Sequence, residues 1–446
     1  MSRNLVVVVS SDVVGRRMAG PAIRAVELAR VINKTESVVL TAPQAEPLAG
    51  NDDLEVVSFR RVRLRKLIQE AKVVISQGIG VPLRPLLAPG HALVLDFYDP
   101  NPVELMAHYR HHPRREARRA QEYLRHRLLA LARRGDCFLY ATERQRHFWL
   151  GLLAAAGRLS WEADKSHPNL DDLLASLPFG LSQDPPQAAG PILKGVWPGI
   201  GRKDKVLLWG GGVWNWFDPL TVIRAVALVV KTIPEIRLFF LGVSHPNPAI
   251  PAMAMVSRAV ELARELGLLD EVVFFNHGWV DYEDRAGFLL ESDLSVLASN
   301  RDLETDLAFR TRLLDSLWAG LPMVLTEGDY FAELVKAQEL GRVVPPGDEA
   351  AMAGAIIELL GDEAQLGRCR ANIKRLAGEM TWPQVARPLV EFCAQPRFHP
   401  GAARRPGQRI KLLAGYAWGL AQVVGAYGGV GQYLARRAAM VRKKRD

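Results

Sequence analysis

The sequence predicts an α/β chain of two Rossmann-like, doubly wound parallel-sheet domains, and three observations carry that expectation. Short apolar, β-branched runs alternate with segments whose apolar residues recur at helical spacing, as βαβ units require. The alternation halts in a proline- and glycine-rich stretch, residues 177–204, and then restarts. The length, 446 residues, suffices for two units of about 200 residues, each with a large core.

In the first half, LVVVVSSD (5–12) opens with five apolar residues in a row, as in a strand buried on both faces. A glycine-bearing loop leads into PAIRAVELARVI (21–32), a helix with Ala22, Val26 and Ala29 on one stripe and Pro21 in its first turn. Further strands are expected at SVVLTA (37–42), LEVVSF (54–59), KVVISQ (72–77), ALVLDFY (92–98) and CFLYAT (137–142). In the second half, VLLWGGG (206–212) is a strand running into a glycine turn. DPLTVIRAVALVVK (218–231) is a helix with Asp218 as N-cap and Pro219 at its first position. Strands at RLFFLG (237–242), VVFFNH (272–277), DLSVLAS (293–299), PMVLTE (322–327) and GRVVPP (341–346) follow, with helices near 253–266 and 309–319 and others to about residue 394. The expected domains are 1–185 and 186–395, followed by a basic tail, 396–446. Open parallel sheets bind ligands at the carboxyl edges of their strands, so the edge loops of the two domains are expected to face one another across the active cleft.

Apolar residues make up 49% of the chain and charged residues 24%, which excludes a disordered, collagenous or multi-span membrane protein. Three cysteines (Cys137, Cys369, Cys393) with no CxxC pair argue against a disulfide framework or a cysteine zinc site and for a reducing compartment. The N-terminal apolar run is too short for a signal peptide, so a cytoplasmic protein is expected. The net charge of +9 sits in one place. Residues 404–446 hold ten Lys/Arg against one acid, while the rest of the chain balances 47 basic residues against 47 acidic.

Gly210-Gly211-Gly212 directly follows a strand, where glycine lets a backbone pass close to a phosphate; a plain tight turn is the alternative. It is not a dinucleotide fingerprint, because Trp214, Asn215 and Trp216 stand where small residues are needed. The two tryptophans either pack over a sugar ring or base, or anchor the loop from beneath. In SNRDLETDLAFRTRLLDSLWAGLPMVLTEGD (299–329), Glu304 and Asp306 lie in a loop after a strand, and a helix beginning near Phe309 carries Arg310, Arg312 and Asp315. A helix start favours an anion through free N–H groups and its dipole, and two arginines strengthen that for a diphosphate. Asp315, further along, can reach ribose hydroxyls. A charged surface helix is the alternative.

Leu314-Asp315-Ser316-Leu317-Trp318-Ala319-Gly320-Leu321-Pro322 resembles the LEAMAxGxPV signature of the retaining glycosyltransferases of family 4, which have the two-domain GT-B architecture. GPAIRAVELAR, LDFYDP, LPFGL, GGGVWNWFDP and FRTRLLDSLWAGLP fall in the order these enzymes show, so the resemblance covers residues 1–395. It implies a glycosyltransferase that moves a sugar, with retention, from a UDP-, GDP-, ADP- or dTDP-sugar to an acceptor hydroxyl. The second domain would hold the donor and the first the acceptor. No obligatory cofactor or metal is implied, and no Asp-x-Asp motif is present.

In that family two acids separated by seven residues hold the donor sugar and the ribose. The second corresponds to Asp315. The first falls on Leu307, so Glu304 or Asp306 is the expected substitute. The family's usual Arg and Lys are missing from GGGVWNWFDP, which leaves Arg310 and Arg312 to neutralise the diphosphate at the helix start, with Gly211, Gly212, Trp214, Asn215 and Phe309 around the donor. His277 falls where the family lines its base pocket. In the first domain, Gly15, Gly20 and Arg24 fall on a glycine loop that faces diphosphate and acceptor, and Asp96, Tyr98 and Asp99 on an acceptor-facing edge. Sugar-nucleotide epimerases of the same fold, and non-catalytic binding proteins that keep it, are the alternatives.

Residues 110–134 contain nine arginines, three histidines and two acids. Such a surface is either merely solvated or, as the resemblance suggests, turned toward anionic lipid, which suits a lipid-linked acceptor or polysaccharide precursor of the cell envelope. In the tail, the apolar stretch 412–430 is flanked by basic clusters and carries Tyr416, Trp418, Tyr427 and, beyond it, Tyr433, the pattern of a segment lying at a membrane interface. Five glycines and Gln422 argue against a membrane span. A disordered basic tail is the alternative. No nucleic-acid motif accompanies the charge. The expected location is the inner face of the plasma membrane, with peripheral attachment.

Overall fold

The sheets of both halves wind outward from a central strand in the same order. The computed structural model describes residues 4–48, 53–59, 61–111, 113–159, 170, 173–243 and 253–425. Strands β1 (Leu5–Val9), β2 (Ser37–Ala42), β3 (Glu55–Ser58), β4 (Val73–Ser76), β5 (Ala92–Asp96), β6 (Cys137–Tyr140) and β7 (Leu174–Ser176) form a parallel sheet in the order β3-β2-β1-β4-β5-β6-β7. Strands β8 (Lys205–Trp209), β9 (Ile236–Phe240), β10 (Val273–Phe275), β11 (Leu294–Leu297), β12 (Met323–Thr326) and β13 (Gly341–Val344) form a second, in the order β10-β9-β8-β11-β12-β13. Every strand expected from the sequence is present. The short edge strand β7, paired to β6 alone, is an addition.

The helices between them are α1 (Gly20–Asn33), α2 (Arg61–Glu70), α3 (Leu83–Leu86), α4 (Asn101–His108), α5 (Arg114–Arg134) and α6 (Glu143–Ala155) in the first half. The second half has α7 (Pro219–Val229), α8 (Ala254–Glu265), α9 (Arg285–Leu290), α10 (Leu303–Leu307), α11 (Arg312–Trp318), α12 (Tyr330–Ala337), α13 (Glu349–Gly361), α14 (Glu363–Glu379) and α15 (Trp382–Val385). Helices α16 (Arg387–Ala394) and α17 (Pro406–Gly425) close the described chain. Helix α7 starts as its sequence requires: the Asp218 carboxylate accepts from the Thr221 N–H at 3.2 Å, and Pro219 occupies the first turn.

The central strands are largely apolar, as strands covered on both faces are, and β4 and β11 each carry one buried serine, Ser76 and Ser295. Val6, Val7, Val8 and Val9 are all buried, and Val7 and Val9 join Leu93, Leu95, Phe97, Phe138 and Trp149 in one core. In the second sheet Val206, Leu208, Phe239, Phe274 and Phe288 play the same part. The winding reverses between β1 and β4 in one sheet and between β8 and β11 in the other. Loops at such a reversal splay apart, which is why open α/β sheets bind ligands there.

The described residues up to Pro178 and from Ala386 onward form one compact unit, and Phe179 to Val385 the other. The borders expected from the sequence lie at 185 and 395, close to these divisions. The linker from Phe179 belongs to the second unit, and the last helices return to the first. There the Asn4 amide donates to the Cys393 carbonyl at 3.1 Å, and the buried Asp136 carboxylate accepts from Arg134 (2.8 Å), Arg404 (2.5 Å) and the His399 N–H (3.1 Å). The tail therefore begins as a docked helix. In α17, Leu412 sits in the core of the first unit, with Leu413 and Tyr416 packed beside it. Residues 426–446, with Tyr427 and Tyr433, lie outside the described residues. No helix among the described residues is long and apolar enough to cross a membrane. All three cysteines are buried thiols.

Candidate functional site

The carboxyl edge of the second sheet, at its winding reversal, gathers the glycine turn after β8 and the segment after β11. Gly211 has φ of +112°, a backbone state that suits glycine, and a Cβ there would lie 3.7 Å from the Arg312 guanidinium carbon. Arg312 Nη1 donates to the Gly212 carbonyl at 2.5 Å, and its guanidinium lies over the Phe217 ring at 4.3 Å. Burial, with the neighbouring charge of Arg310, lowers its pKa to about 9, so it is still a cation at neutral pH. Among the described residues no carboxylate pairs with it. A cation lying against a glycine turn without a counter-ion is an arrangement that an anion completes.

The expected helix start at Phe309 is corrected to Arg312. Asp302 caps the short helix α10 through the Thr305 N–H at 3.1 Å, and Ala308 then turns extended (φ −71°, ψ 145°), which ends it. Glu304 and Arg310 are brought together by that break. Their side chains form a buried bidentate pair, with both bonds at 2.7 Å, and the Arg310 Nε lies 3.5 Å from the Asp329 carboxylate. Asp329 also caps α12 through the Ala332 N–H, and burial raises its carboxyl above the usual value. Arg310 rests on the opposite carboxylates and over Phe217 at 4.7 Å. It is spent inside the protein, whereas Asp306 is exposed and Phe309 is buried against Tyr330 and Phe331.

Asp315 is held by Arg285 at 3.0 Å, and Arg285 is itself clamped over Tyr282 (3.6 Å) and Trp318 (4.5 Å). Trp214 and Trp216 stack on each other, ring centres 5.2 Å apart and planes 6° from parallel, and both are partly exposed. Asn215 is occupied in capping: its side-chain oxygen accepts from the Met255 N–H at 3.1 Å, at the start of α8. His277 is exposed just past β10, and Trp279, two residues on, lies 3.3 Å from where a Gly212 Cβ would stand.

In the first unit the expected acceptor-side group divides. Arg24 is fully buried and forms a bidentate pair with Asp96 (2.7 and 2.8 Å); it also donates to the carbonyls of Leu177 (2.8 Å) and Pro178 (3.1 Å). Its guanidinium lies 4.6 Å over the Tyr98 ring, and Tyr98, also buried, has its pKa pushed well up by burial and by Asp99. These three side chains face one another inside the unit. Gly15 is buried as well. Gly20 and Asp99 keep partial exposure. Across the winding reversal, the Ser11 hydroxyl donates to Gln77 at 2.5 Å.

Sequence reasoning missed Asp329, Arg285 and Trp279. Only Asp329 had a local signal, an acid ahead of a helical run. Among the described residues no cluster of three or more His, Cys, Asp or Glu is disposed to hold a metal ion.

Residues 204–362 match the family Glycosyl transferases group 1. Over 193 residues the chain is 25% identical to the D-inositol 3-phosphate glycosyltransferase of Thermobispora bispora, which covers 43% of this chain and 44% of that protein. The chain thus spans less than half the length of that relative. Among solved structures, WaaG, a glycosyltransferase involved in lipopolysaccharide biosynthesis, superposes with a TM-score of 0.60 at 16% identity, over 87% of this chain and 100% of WaaG. The Anabaena protein HepE, in complex with UDP and glucose, gives 0.61 at 13% identity, over 88% and 100%. The fold is accordingly that of the GT-B neighbours WaaG and HepE, two Rossmann-like domains in one chain, and residues 204–362 of its second unit are similar to the glycosyl transferases group 1.

Proposed function

We propose that the protein is a glycosyltransferase that moves a hexosyl or related unit from a nucleotide-diphosphate sugar to an acceptor hydroxyl, with retention at the anomeric carbon. The observation that carries this reading is Arg312, a cation without a carboxylate partner among the described residues, lying against the Gly210–Gly212 turn at the reversal of the second sheet. The donor's diphosphate would lie along that turn. Arg312 would offset the charge that develops as the bond from the anomeric carbon to the phosphate oxygen breaks. The acceptor oxygen takes that place on the same face of the sugar, and its proton passes to the departing phosphate. Asp315, oriented by Arg285, would receive the ribose hydroxyls. Trp214, with its stacked partner Trp216, and His277 offer faces for sugar or base. HepE is described with UDP-glucose bound, which supports a UDP-sugar among the candidate donors.

The acceptor is a saccharide or a lipid-linked precursor in cell-envelope polysaccharide assembly, met by the first unit near Gly20 and Asp99. Attachment would be peripheral, at the inner face of the plasma membrane, through the exposed Ile410 and Trp418 of α17 and the exposed arginines Arg114, Arg115, Arg118 and Arg125 of α5. No metal or cofactor takes part in this reading.

The test is turnover of the full chain with each sugar nucleotide, with the product's anomeric configuration read by NMR. Arg312→Ala is expected to lower kcat/KM by about 100-fold or more, the scale of losing one donor to a developing oxyanion. Unchanged turnover, or an inverted product, overturns the mechanism. Epimerisation or hydrolysis of the donor without acceptor would identify an epimerase or hydrolase. Tight donor binding without any turnover would identify a binding protein.

A further inference from the structure

Glu304, Arg310 and Asp329 are the most deeply buried charged groups near the proposed donor site, and the reaction as drawn uses none of them. Burying such a cluster is costly, and well-packed apolar residues often replace one without loss of stability. Its position therefore calls for a reason. Arg310 joins three carboxyl-edge loops of the second sheet. It grips Glu304 on α10 after β11 with two 2.7 Å bonds, reaches Asp329 at the start of α12 after β12, and lies over Phe217 in the loop after β8. Its carbonyl also accepts from the Leu313 N–H at 2.9 Å, which fixes the first turn of α11, the helix that Arg312 opens. Arg312 shares the Phe217 ring. Two carboxylates pair with Arg310, and among the described residues none pairs with Arg312, so the two arginines differ in kind.

We infer that Arg310 is a positioning residue, held by Glu304 and Asp329, whose task is to set the guanidinium of Arg312 against the glycine turn for a nucleoside diphosphate. Glu304 is then a support and not a group that touches the sugar. The inference rests on the proposed donor site and deepens it: of the two arginines it assigns diphosphate recognition to Arg312, beside the glycine turn, and the preorganisation of that residue to the buried triad.

The test is a double-mutant cycle on binding, read by calorimetric titration of the full chain with UDP, GDP, ADP and dTDP, each beside its monophosphate. Arg312→Ala is expected to weaken the preferred diphosphate at least 10-fold and its monophosphate little. Arg310→Lys keeps the charge but loses the fork, so it should weaken the diphosphate 5- to 10-fold with a native circular-dichroism spectrum. In the Arg312→Ala background, the same change should then have almost no effect on binding. Glu304→Gln should act in the same direction as Arg310→Lys. An Arg310→Lys loss that persists undiminished without Arg312, or that is equal for mono- and diphosphate, would make the triad merely structural and overturn the inference. An Arg312→Ala protein with unchanged diphosphate affinity would instead remove the donor site itself, as would failure of all four diphosphates to bind. If Arg310→Lys does not fold, Glu304→Gln carries the cycle.

Discussion

Replacing Asp96 by alanine tests the division of labour in the first unit. The carboxylate meets Arg24 through two bonds, 2.7 and 2.8 Å, and both side chains are almost wholly removed from water. Removing one partner of a buried pair leaves an uncompensated charge, at a cost of about 3–5 kcal/mol. Arg24 keeps the Leu177 and Pro178 carbonyls and the Tyr98 ring, which puts the expected loss near the lower end, about 3 kcal/mol. In a unit of this size each kcal/mol lowers the melting temperature by roughly 2–4 °C, so a fall of roughly 10 °C is expected in the transition of the first unit, read by scanning calorimetry. The double variant Arg24→Met/Asp96→Leu should recover much of that loss, because it leaves no orphaned charge. A loss below about 1 kcal/mol for Asp96→Ala, or a double variant no better than the single, would refute a structural role. An unchanged melt with a raised acceptor KM would return the pair to acceptor binding.

Three further outcomes are expected. Gly211→Ala forces a side chain into φ of +112° beside Arg312, which should cost about 1–3 kcal/mol and weaken the nucleoside diphosphate; an unchanged affinity would argue against the turn as its seat. His91 is buried, and desolvation with the charges of Arg134 and Arg404 lowers its pKa to about 3. Both states are neutral above pH 6.5; below it only the unfolded chain takes the proton, so stability should fall by up to about 1.4 kcal/mol per pH unit from there toward pH 3, and the urea midpoint of His91→Leu should show a shallower acid slope. An identical slope would contradict the assignment. Finally, the chain should sediment with vesicles containing anionic lipid and not with neutral ones, and Trp418→Glu should weaken that binding; equal binding to both vesicle types would remove the membrane reading.

The strands were legible because central parallel strands are largely apolar, so Val6 to Val9 and Val206 to Leu208 announce themselves. The glycine turn was legible as well, and Asp218 with Pro219 marked the start of α7. Pairings across the fold were not. Arg24 and Asp96 lie 72 residues apart, and an arginine on an otherwise apolar helix looks the same whether it reaches solvent or a buried carboxylate. The continuous helix expected from Phe309 failed at Ala308, whose extended backbone lets Arg310 turn back to Glu304, a tertiary gain that local propensity does not register. The tail's charge pointed to a solvated or interfacial segment, and the burial of Leu412, Leu413 and Tyr416 against the first unit emerged only from the three-dimensional packing.

The most direct test of the donor site is the thermal shift of the full chain and of Arg312→Ala with UDP-, GDP-, ADP- and dTDP-sugars. A ligand at 100 times its dissociation constant adds about 2.7 kcal/mol to the state it binds. One nucleotide class is expected to raise the wild-type transition by roughly 5–10 °C and to leave Arg312→Ala nearly unmoved. No shift with any of the four, or the same shift in both proteins, would contradict the assignment of the diphosphate to Arg312 and the glycine turn.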